Sequence, residues 1–222
     1  FFLGTQLKGY GLYREAREIS LGLNYTFENG IRIDALTATH GNKHRGVDDL
    51  DRRMTADLGL AFNTVGVNDT KREDVSHELR VASSGDQKLR WLVGASYSFV
   101  KASGVGASRA TTGVWTNSAS GISYNQVETS GVFGSLAYDI GKKLTVSLEA
   151  RKQKDEVTDG SEKGILCAAN HVGNCGPVAP GGTSITGTFN STTPRVILDF
   201  RPVDDITLYG IYAKGTRPGT FN

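Results

Sequence analysis

Two cysteines are the residues of this chain whose type and spacing point most directly to chemistry. Cys167 and Cys175 lie close together in a polar, glycine-rich segment, and the sequence has no other cysteine. Their spacing does not match a Cys-x-x-Cys redox motif, and no histidine pair nearby completes a zinc pattern. The pattern favours a disulfide that pins a loop in an oxidising compartment over two free thiols.

A group of metal-ligating residue types lies between residues 40 and 51. His40 and His44 are followed by Asp48, Asp49 and Asp51. Two side chains four residues apart share a face on an α-helix, but this segment has the character of a loop. We therefore interpret the group as solvated loop polarity and predict no metal site.

The motifs that suggest catalysis or phosphate binding are incomplete. Gly94-Ala95-Ser96-Tyr97-Ser98 lacks the last glycine of a nucleophile elbow and lies inside a predicted strand. Gly104-Val105-Gly106 lacks the strand-to-helix context of a phosphate-binding loop. The histidines and carboxylates give no convincing pair of nucleophile and base. The sequence therefore predicts no catalytic residue and no cofactor, does not identify substrate-binding residues, and does not indicate an enzyme.

The composition indicates β structure with many turns. The 222 residues include 28 glycines, 5 prolines and 1 methionine, with a formal net charge of +2. Because the charge is nearly balanced, the composition gives no sign of nucleic-acid binding. No stretch approaches the roughly 18 consecutive apolar residues of a transmembrane helix. This absence does not exclude a transmembrane β-barrel, because its strands give only weak alternating segments of about 10 residues.

Alternation of apolar and polar side chains with a period of two dominates the chain and predicts β-strands. The clearest strand runs from Leu89 to Phe99, and similar runs flank short turn signals. These signals are Glu28-Asn29-Gly30, Ser84-Gly85-Asp86, Gly141-Lys142-Lys143 and Pro202-Val203-Asp204-Asp205. The pattern predicts an all-β chain of about eight antiparallel strands in four hairpins.

The connections between these strands differ in length in a regular way. The turns within hairpins are short, whereas the segments between hairpins are long, at roughly residues 41–73, 102–122 and 156–189. A transmembrane barrel places its short turns at one rim and its long loops at the other. Long structureless connections are unusual in compact soluble domains. Aromatic residues near both ends of the strands also agree with the two aromatic belts of a membrane barrel.

The two faces of the predicted strands differ in polarity. An arginine or lysine that faces lipid at the midplane costs about 2–4 kcal/mol, so the charged face must line a wet or plugged lumen. The residues predicted to face lipid are Leu21, Leu23, Ile33, Leu79, Val93, Leu136, Val146 and Leu198. The residues predicted to face inward are Glu78, Arg80, Arg90, Glu149, Arg151 and Arg195.

The direction of the strands predicts a part of a larger barrel. The first strand runs toward a short turn and the last runs away from one, so residues 1–16 and 215–222 fall at the long-loop rim. A complete small barrel ordinarily has both termini at the periplasmic rim. The start of the sequence also lacks the pattern of a signal peptide. We expect a fragment whose first and last strands do not pair with each other.

Two stretches of the sequence resemble the TonB-dependent outer-membrane receptors. Ser76–Ser83 followed by Leu89–Ala95 is similar to a mid-barrel hairpin of that family. Thr193–Asn222 is the more specific stretch, since its Tyr212–Gly215 and Arg217–Asn222 resemble the strand end and loop start of these barrels. The resemblance covers most of residues 17–222.

The resemblance implies that residues 1–222 are part of a transmembrane β-barrel of about 22 strands with a plugged lumen. It implies import of a scarce ligand, such as a ferric siderophore, through the outer membrane of a Gram-negative bacterium. The implied partners are outer-membrane lipid, the small-molecule ligand and the inner-membrane energy-coupling protein TonB. The plug domain, the segment that binds TonB, a signal peptide and the closing C-terminal strand are not expected in this chain. A passive diffusion pore and a soluble β-sheet binding module stay as alternatives.

Overall fold

The chain folds as one antiparallel sheet, which confirms the all-β prediction. The computed structural model describes residues 11–49, 64–110, 122–162, 165–167, 175–177 and 182–217. Eight strands form the sheet: β1 (Gly11–Thr26), β2 (Arg32–Asp49), β3 (Thr64–Ala82), β4 (Leu89–Ala110), β5 (Ile122–Ile140), β6 (Leu144–Glu162), β9 (Ser184–Val203) and β10 (Ile206–Ala213). They pair in the order β1-β2-β3-β4-β5-β6-β9-β10. Two short strands, β7 (Ile165–Cys167) and β8 (Cys175–Pro177), pair with each other. Within the described residues, no helix is long and apolar enough to cross a membrane.

The four predicted hairpin turns are confirmed, and glycine sets the backbone of two of them. In the first turn, the Phe27 N–H donates to the Ile31 carbonyl at 2.8 Å and the Gly30 N–H donates to the Phe27 carbonyl at 2.9 Å. Gly30 has a φ of +80°, and Gly141 in the third turn has a φ of +67°. Glycine adopts this left-handed conformation without the steric penalty of a Cβ atom.

The strands are longer than the apolar pattern predicted, and the predicted connections were wrong for this reason. β2 continues to Asp49 and β3 begins at Thr64, so most of the predicted 41–73 connection is paired strand. The predicted connections at 102–122 and 156–189 are likewise shortened by β4, β5, β6 and β9. Side chains on these extensions are largely polar on both faces, so apolar alternation does not mark them, and backbone pairing forms them instead.

Two sequence interpretations change with these boundaries. His40 and His44 lie in β2 and not in a loop, together with Asp48 and Asp49. Asp51 lies outside the described residues. Gly104-Val105-Gly106 lies in β4, which gives it no phosphate-loop context.

The cross-strand register divides the sheet into two faces as the sequence predicted. Side chains alternate along a strand, and directly paired residues lie on the same face. The pairs Val81↔Val93, Leu136↔Leu148 and Val146↔Leu198 connect one face across the sheet. We call it the outer face, and its members include Leu21, Leu23, Ile33, Leu79, Val93, Leu136, Val146 and Leu198. The opposite, inner face carries Glu78, Arg80, Arg90, Glu149, Arg151 and Arg195.

The apolar side chains of the outer face are not covered by protein. Leu23 is 63% exposed and Leu136 is 50% exposed. Among the described residues Val157, at 4% exposure, is the one buried apolar side chain. A water-soluble domain of this size would bury a much larger apolar core, so a sheet of this kind needs an apolar surrounding such as lipid.

The hairpins are staggered as they are in a tilted barrel wall. Thr26, the last residue of β1, is paired with Arg32 of β2. Following the direct pairs from there across β3 and β4 leads to Ser135 of β5. β5 then continues to Ile140 before its own turn. At about 3.3 Å per residue and about 4.8 Å per strand over four strand steps, this offset gives a tilt of about 40°. Membrane barrels have strand tilts of about 35–45°.

The sheet is open. β1 and β10 are its two edges, and they do not pair with each other. This confirms the expectation for the first and last strands. An open edge leaves unpaired backbone N–H and C=O groups, which lipid cannot satisfy.

Candidate functional site

The inner face carries ion pairs close to the short turns. Arg90 of β4 donates two hydrogen bonds to Asp139 of β5, one of them at 2.7 Å. Asp139 also accepts a hydrogen bond from Thr145 at 2.8 Å. Between β6 and β9, Arg195 donates to Glu149 at 2.7 Å. These paired charges fix neighbouring strands to one another on the face that the sequence predicted to be inward.

An arginine–phenylalanine–arginine stack lies farther along the inner face. The Phe133 ring of β5 lies between the guanidinium groups of Arg80, 6.0 Å from its centroid, and Arg151, 5.6 Å away. Both distances are within the range of a cation–π interaction. The ring covers Gly94 of β4, where a Cβ atom would lie 2.7 Å from Phe133 Cε2. Glycine at position 94 therefore makes room for the stack.

A hydrogen-bond network extends from this stack. Arg151 donates to Ser96 Oγ at 2.9 Å, across the intervening strand β5, and to Gln153 Oε1 at 2.8 Å. Gln153 donates to Asp155 at 2.8 Å, and Thr129 donates to the same carboxylate at 2.7 Å. Asp155 is only 3% exposed. A buried carboxylate is stable when hydrogen bonds compensate its lost hydration, so this network rigidifies the middle of the sheet.

A polar groove lies near the strand ends remote from the short turns. Its inner-face lining includes Asn42, His44, Thr70, Arg72, Asn125 and Asp159. Ala102 and Gly104 contribute small residues to the same lining. Asn125 donates a hydrogen bond to Asp159, whereas the buried Asn42 Oδ1 atom has no hydrogen-bond partner. An unsatisfied buried acceptor is costly, and Asn42 Oδ1 is shielded, so a ligand in the groove would meet the more exposed side chains of its lining, such as Arg72.

Among the polar residues of this groove, the sequence singled out only His44, and as solvated loop polarity. They lie on the polar extensions of the strands, which the apolar pattern assigned to connections. His40, beside the groove, pairs with Asp74 at 3.1 Å. Among the described residues, no three His, Cys, Asp or Glu side chains lie together as a metal site would require.

An ion pair on the outer face stabilises the extension of β2 and β3. Arg45 donates to Asp69 at 2.6 Å and 2.7 Å, and Asp69 is 6% exposed. Both residues lie well beyond the apolar part of their strands. The hydrogen bond to Asp69 raises the pKa of Arg45, with burial acting in the opposite direction. The Arg45 guanidinium thus stays charged at any physiological pH.

The predicted disulfide concerns β7 and β8. Their antiparallel register places Cys167 directly opposite Cys175. Directly opposed residues bring two Cα atoms to about 4.5–5.5 Å, within the range that a disulfide spans. We expect that the purified protein does not react with a thiol-alkylating reagent unless it is first reduced, and that two labels per chain add after reduction. Alkylation at both cysteines without reduction, measured by intact mass, would contradict this prediction.

Comparison with known proteins adds independent information. A family model described as TonB dependent receptor-like, beta-barrel matches residues 3–222. The fold is similar to the ferric yersiniabactin uptake receptor FyuA from Yersinia pestis, with a TM-score of 0.68 and 13% identity, over 90% of this chain and 28% of that one. It is also similar to the ferric-catecholate import receptor Fiu from E. coli K12, with a TM-score of 0.61 and 11% identity, over 93% of this chain and 36% of that one. A search of curated proteins gave no match. The chain thus spans about a third of the length of these two receptors.

Proposed function

The chain belongs to the TonB-dependent receptor β-barrel family, and on this basis we propose that it forms part of the wall of a transporter that imports a scarce ligand into the periplasm. Proteins of this family lie in the outer membrane of Gram-negative bacteria, and this chain is an outer-membrane protein. The transporter is a carrier of its ligand and not an enzyme.

The observation that carries this proposal is the division of one tilted sheet into an apolar outer face and a charged inner face. The outer face matches a wall in contact with lipid, since leucines such as Leu23 and Leu136 are exposed on it. The inner face matches a lumen filled by protein and water, because its charges, such as Arg90 with Asp139, are paired and hydrogen-bonded. A barrel interior that held only lipid or apolar residues would not tolerate them.

The rest of the barrel completes the two open edges. We propose that the strands next to β1 and β10 come from the same polypeptide, and that a plug domain of that polypeptide fills the lumen. The share of 28% and 36% that this chain covers in the similar receptors supports the proposal. The energy for import would come from TonB, through a segment outside residues 1–222.

The ligand class that we propose is a ferric siderophore. The two similar solved structures are receptors for ferric yersiniabactin and for ferric catecholates. The polar groove of this chain supports the proposal, because Arg72, His44 and Asn42 offer a cation, a ring nitrogen and an amide to an oxygen-rich ligand. A passive pore would share the same wall and would differ in its lack of energy coupling.

Uptake by cells tests the proposal. We expect cells that express the full-length protein under iron limitation to accumulate a radiolabelled ferric siderophore, and to stop when TonB is deleted. Arg72→Ala is expected to lower uptake about tenfold, because a lost hydrogen bond to a charged group costs about 1.5–3 kcal/mol. Lys43→Ala is the matched control, since Lys43 neighbours His44 but lies on the outer face. Uptake that continues unchanged without TonB would contradict the proposal and favour a passive pore.

A further inference from the structure

Two lysines of β6 project from the outer face just beyond its apolar part. Lys152 and Lys154 continue the alternation of Val146 and Leu148, which the register places on the outer face. The side chain of Lys154 is 53% exposed, and Lys152 is also exposed. Since the short turns lie at the periplasmic rim, these lysines lie on the outer-leaflet side of the apolar band.

The residues that the register pairs with these lysines are uncharged, and all but Val132, opposite Lys152, can form hydrogen bonds. Thr192 is paired with Lys152, while Ser130 and Asn190 flank Lys154. Glu156 lies 3.5 Å from Lys154 Nζ, and both side chains are about half exposed. Exposed pairs of this kind contribute little. Glu128 is paired with Glu156 on the same face. Lys152 has no ion pair within the described residues, so the patch keeps most of its positive charge.

Three other outward-facing basic residues beyond the apolar band each contact an acid at a shorter distance than Lys154 does. Arg17 contacts Glu15 at 2.6 Å, and Lys71 contacts Glu73 at 2.7 Å. Lys101 contacts a carboxylate at 3.3 Å and also lies over a tyrosine ring. Lys43, opposite Lys71, is a further outward-facing lysine without an ion pair among the described residues, so the β6 patch is distinguished by two lysines that follow each other on the same face of one strand.

The strand tilt brings a third lysine to the same level. The Lys214 N–H donates to the Pro194 carbonyl at 3.0 Å, which continues the β9–β10 register onto the outer face. Pro194 is paired with Ala150, so Lys214 lies in the row two residues below Lys152. With a tilt of about 40°, a given depth in the membrane lies about two to three residues closer to the short turns after two strand steps, from β6 to β10. Lys214 and Lys152 therefore lie at about the same depth.

We infer that Lys152, Lys154 and Lys214 form a binding patch for the phosphate groups of an anionic lipid in the outer leaflet. Lysine side chains at this depth keep their stems against the apolar chains and their ammonium groups among the headgroups. Thr192, Ser130 and Asn190 add hydrogen-bond donors that suit phosphate oxygens. The patch is continuous with the apolar surface that contacts lipid, and its charge is complementary to an anionic headgroup. The inference needs the outer-membrane location and does not depend on the transported ligand.

A binding experiment tests this inference on the full-length protein in detergent micelles. The probes are diphosphorylated lipid A and the same lipid with both phosphates removed, with bound lipid counted by native mass spectrometry. We expect the wild-type protein to bind the phosphorylated lipid and the K152Q/K154Q variant to bind it about tenfold more weakly. Lys71→Gln is the matched control, because Lys71 is already paired with Glu73, and it should bind as the wild type does.

Folding of each variant is checked by its heat-dependent mobility on a denaturing gel. The K152R/K154R variant keeps both charges and should bind the phosphorylated lipid as the wild type does. If the glutamine variant fails to fold, loss of binding by the arginine variant would still contradict the inference. Wild-type affinity in K152Q/K154Q would overturn the inference. Equal binding of the dephosphorylated lipid would also overturn it, since the patch would then not recognise phosphate.

Discussion

Replacing Leu148 with arginine is expected to destabilise the folded full-length protein by about 2–4 kcal/mol, the cost of a cation facing lipid near the membrane midplane. Leu148 lies on the outer face between Leu136 and Val196, in the middle of the apolar part of β6. The side chain is 50% exposed, so the arginine would meet no steric obstacle that could explain the loss. Chemical denaturation of the protein in lipid vesicles measures the effect.

Ser147→Arg is the control for this substitution. Ser147 is the neighbour of Leu148 in the chain and lies on the inner face, opposite Ala137 and Ile197. We expect it to lower the free energy of unfolding by much less, since an arginine there reaches the polar lumen. Similar losses for both variants would mean that the two faces do not differ in their surroundings.

The second large effect is expected at Gly94. A Cβ atom at this position would lie 2.7 Å from Phe133 Cε2 and 2.9 Å from the Leu79 carbonyl oxygen. Gly94→Ala is therefore expected to cost about 1–3 kcal/mol, as overpacking commonly does. Phe133 would have to move and would leave the two arginines that it stacks against. The same denaturation measurement reports this loss.

Two further variants separate the possible causes of that loss. Adding Phe133→Ala to Gly94→Ala should recover part of the stability, because it removes the ring but not the carbonyl contact. Gly41→Ala is the control, since nothing lies within 4 Å of a Cβ atom at that position. A Gly94→Ala protein as stable as the wild type would contradict the described packing.

The faces of the sheet could be predicted from the sequence because most strands have one apolar face; β10 is an exception, with Tyr209 and Ile211 on its inner face. The side chains of Val146 and Leu198 face outward because of the apolar–polar alternation within their own strands, which can be read from the sequence alone. The turns were predictable for the same kind of reason, since Gly30 and Gly141 mark backbone conformations that few other residues adopt.

The inner-face contacts could not be predicted, because they depend on the register between strands distant in sequence. Arg80, Phe133 and Arg151 belong to three different strands, and only the register brings them together. The groove was missed for another reason. Residues such as Asn42 and Thr70 lie where both faces of a strand are polar, and period-two alternation of polarity is then absent.

A measurement of ionic current through the lumen tests most directly whether the protein is a plugged transporter. If the charged inner face is the wall of a plugged transporter, the full-length protein should insert into a planar lipid bilayer without a steady ionic current. A variant that lacks the plug domain should conduct, which would show that the barrel wall inserts into the bilayer and that the plug is what closes it. A large, persistent conductance from the full-length protein would contradict the account and identify a passive diffusion pore.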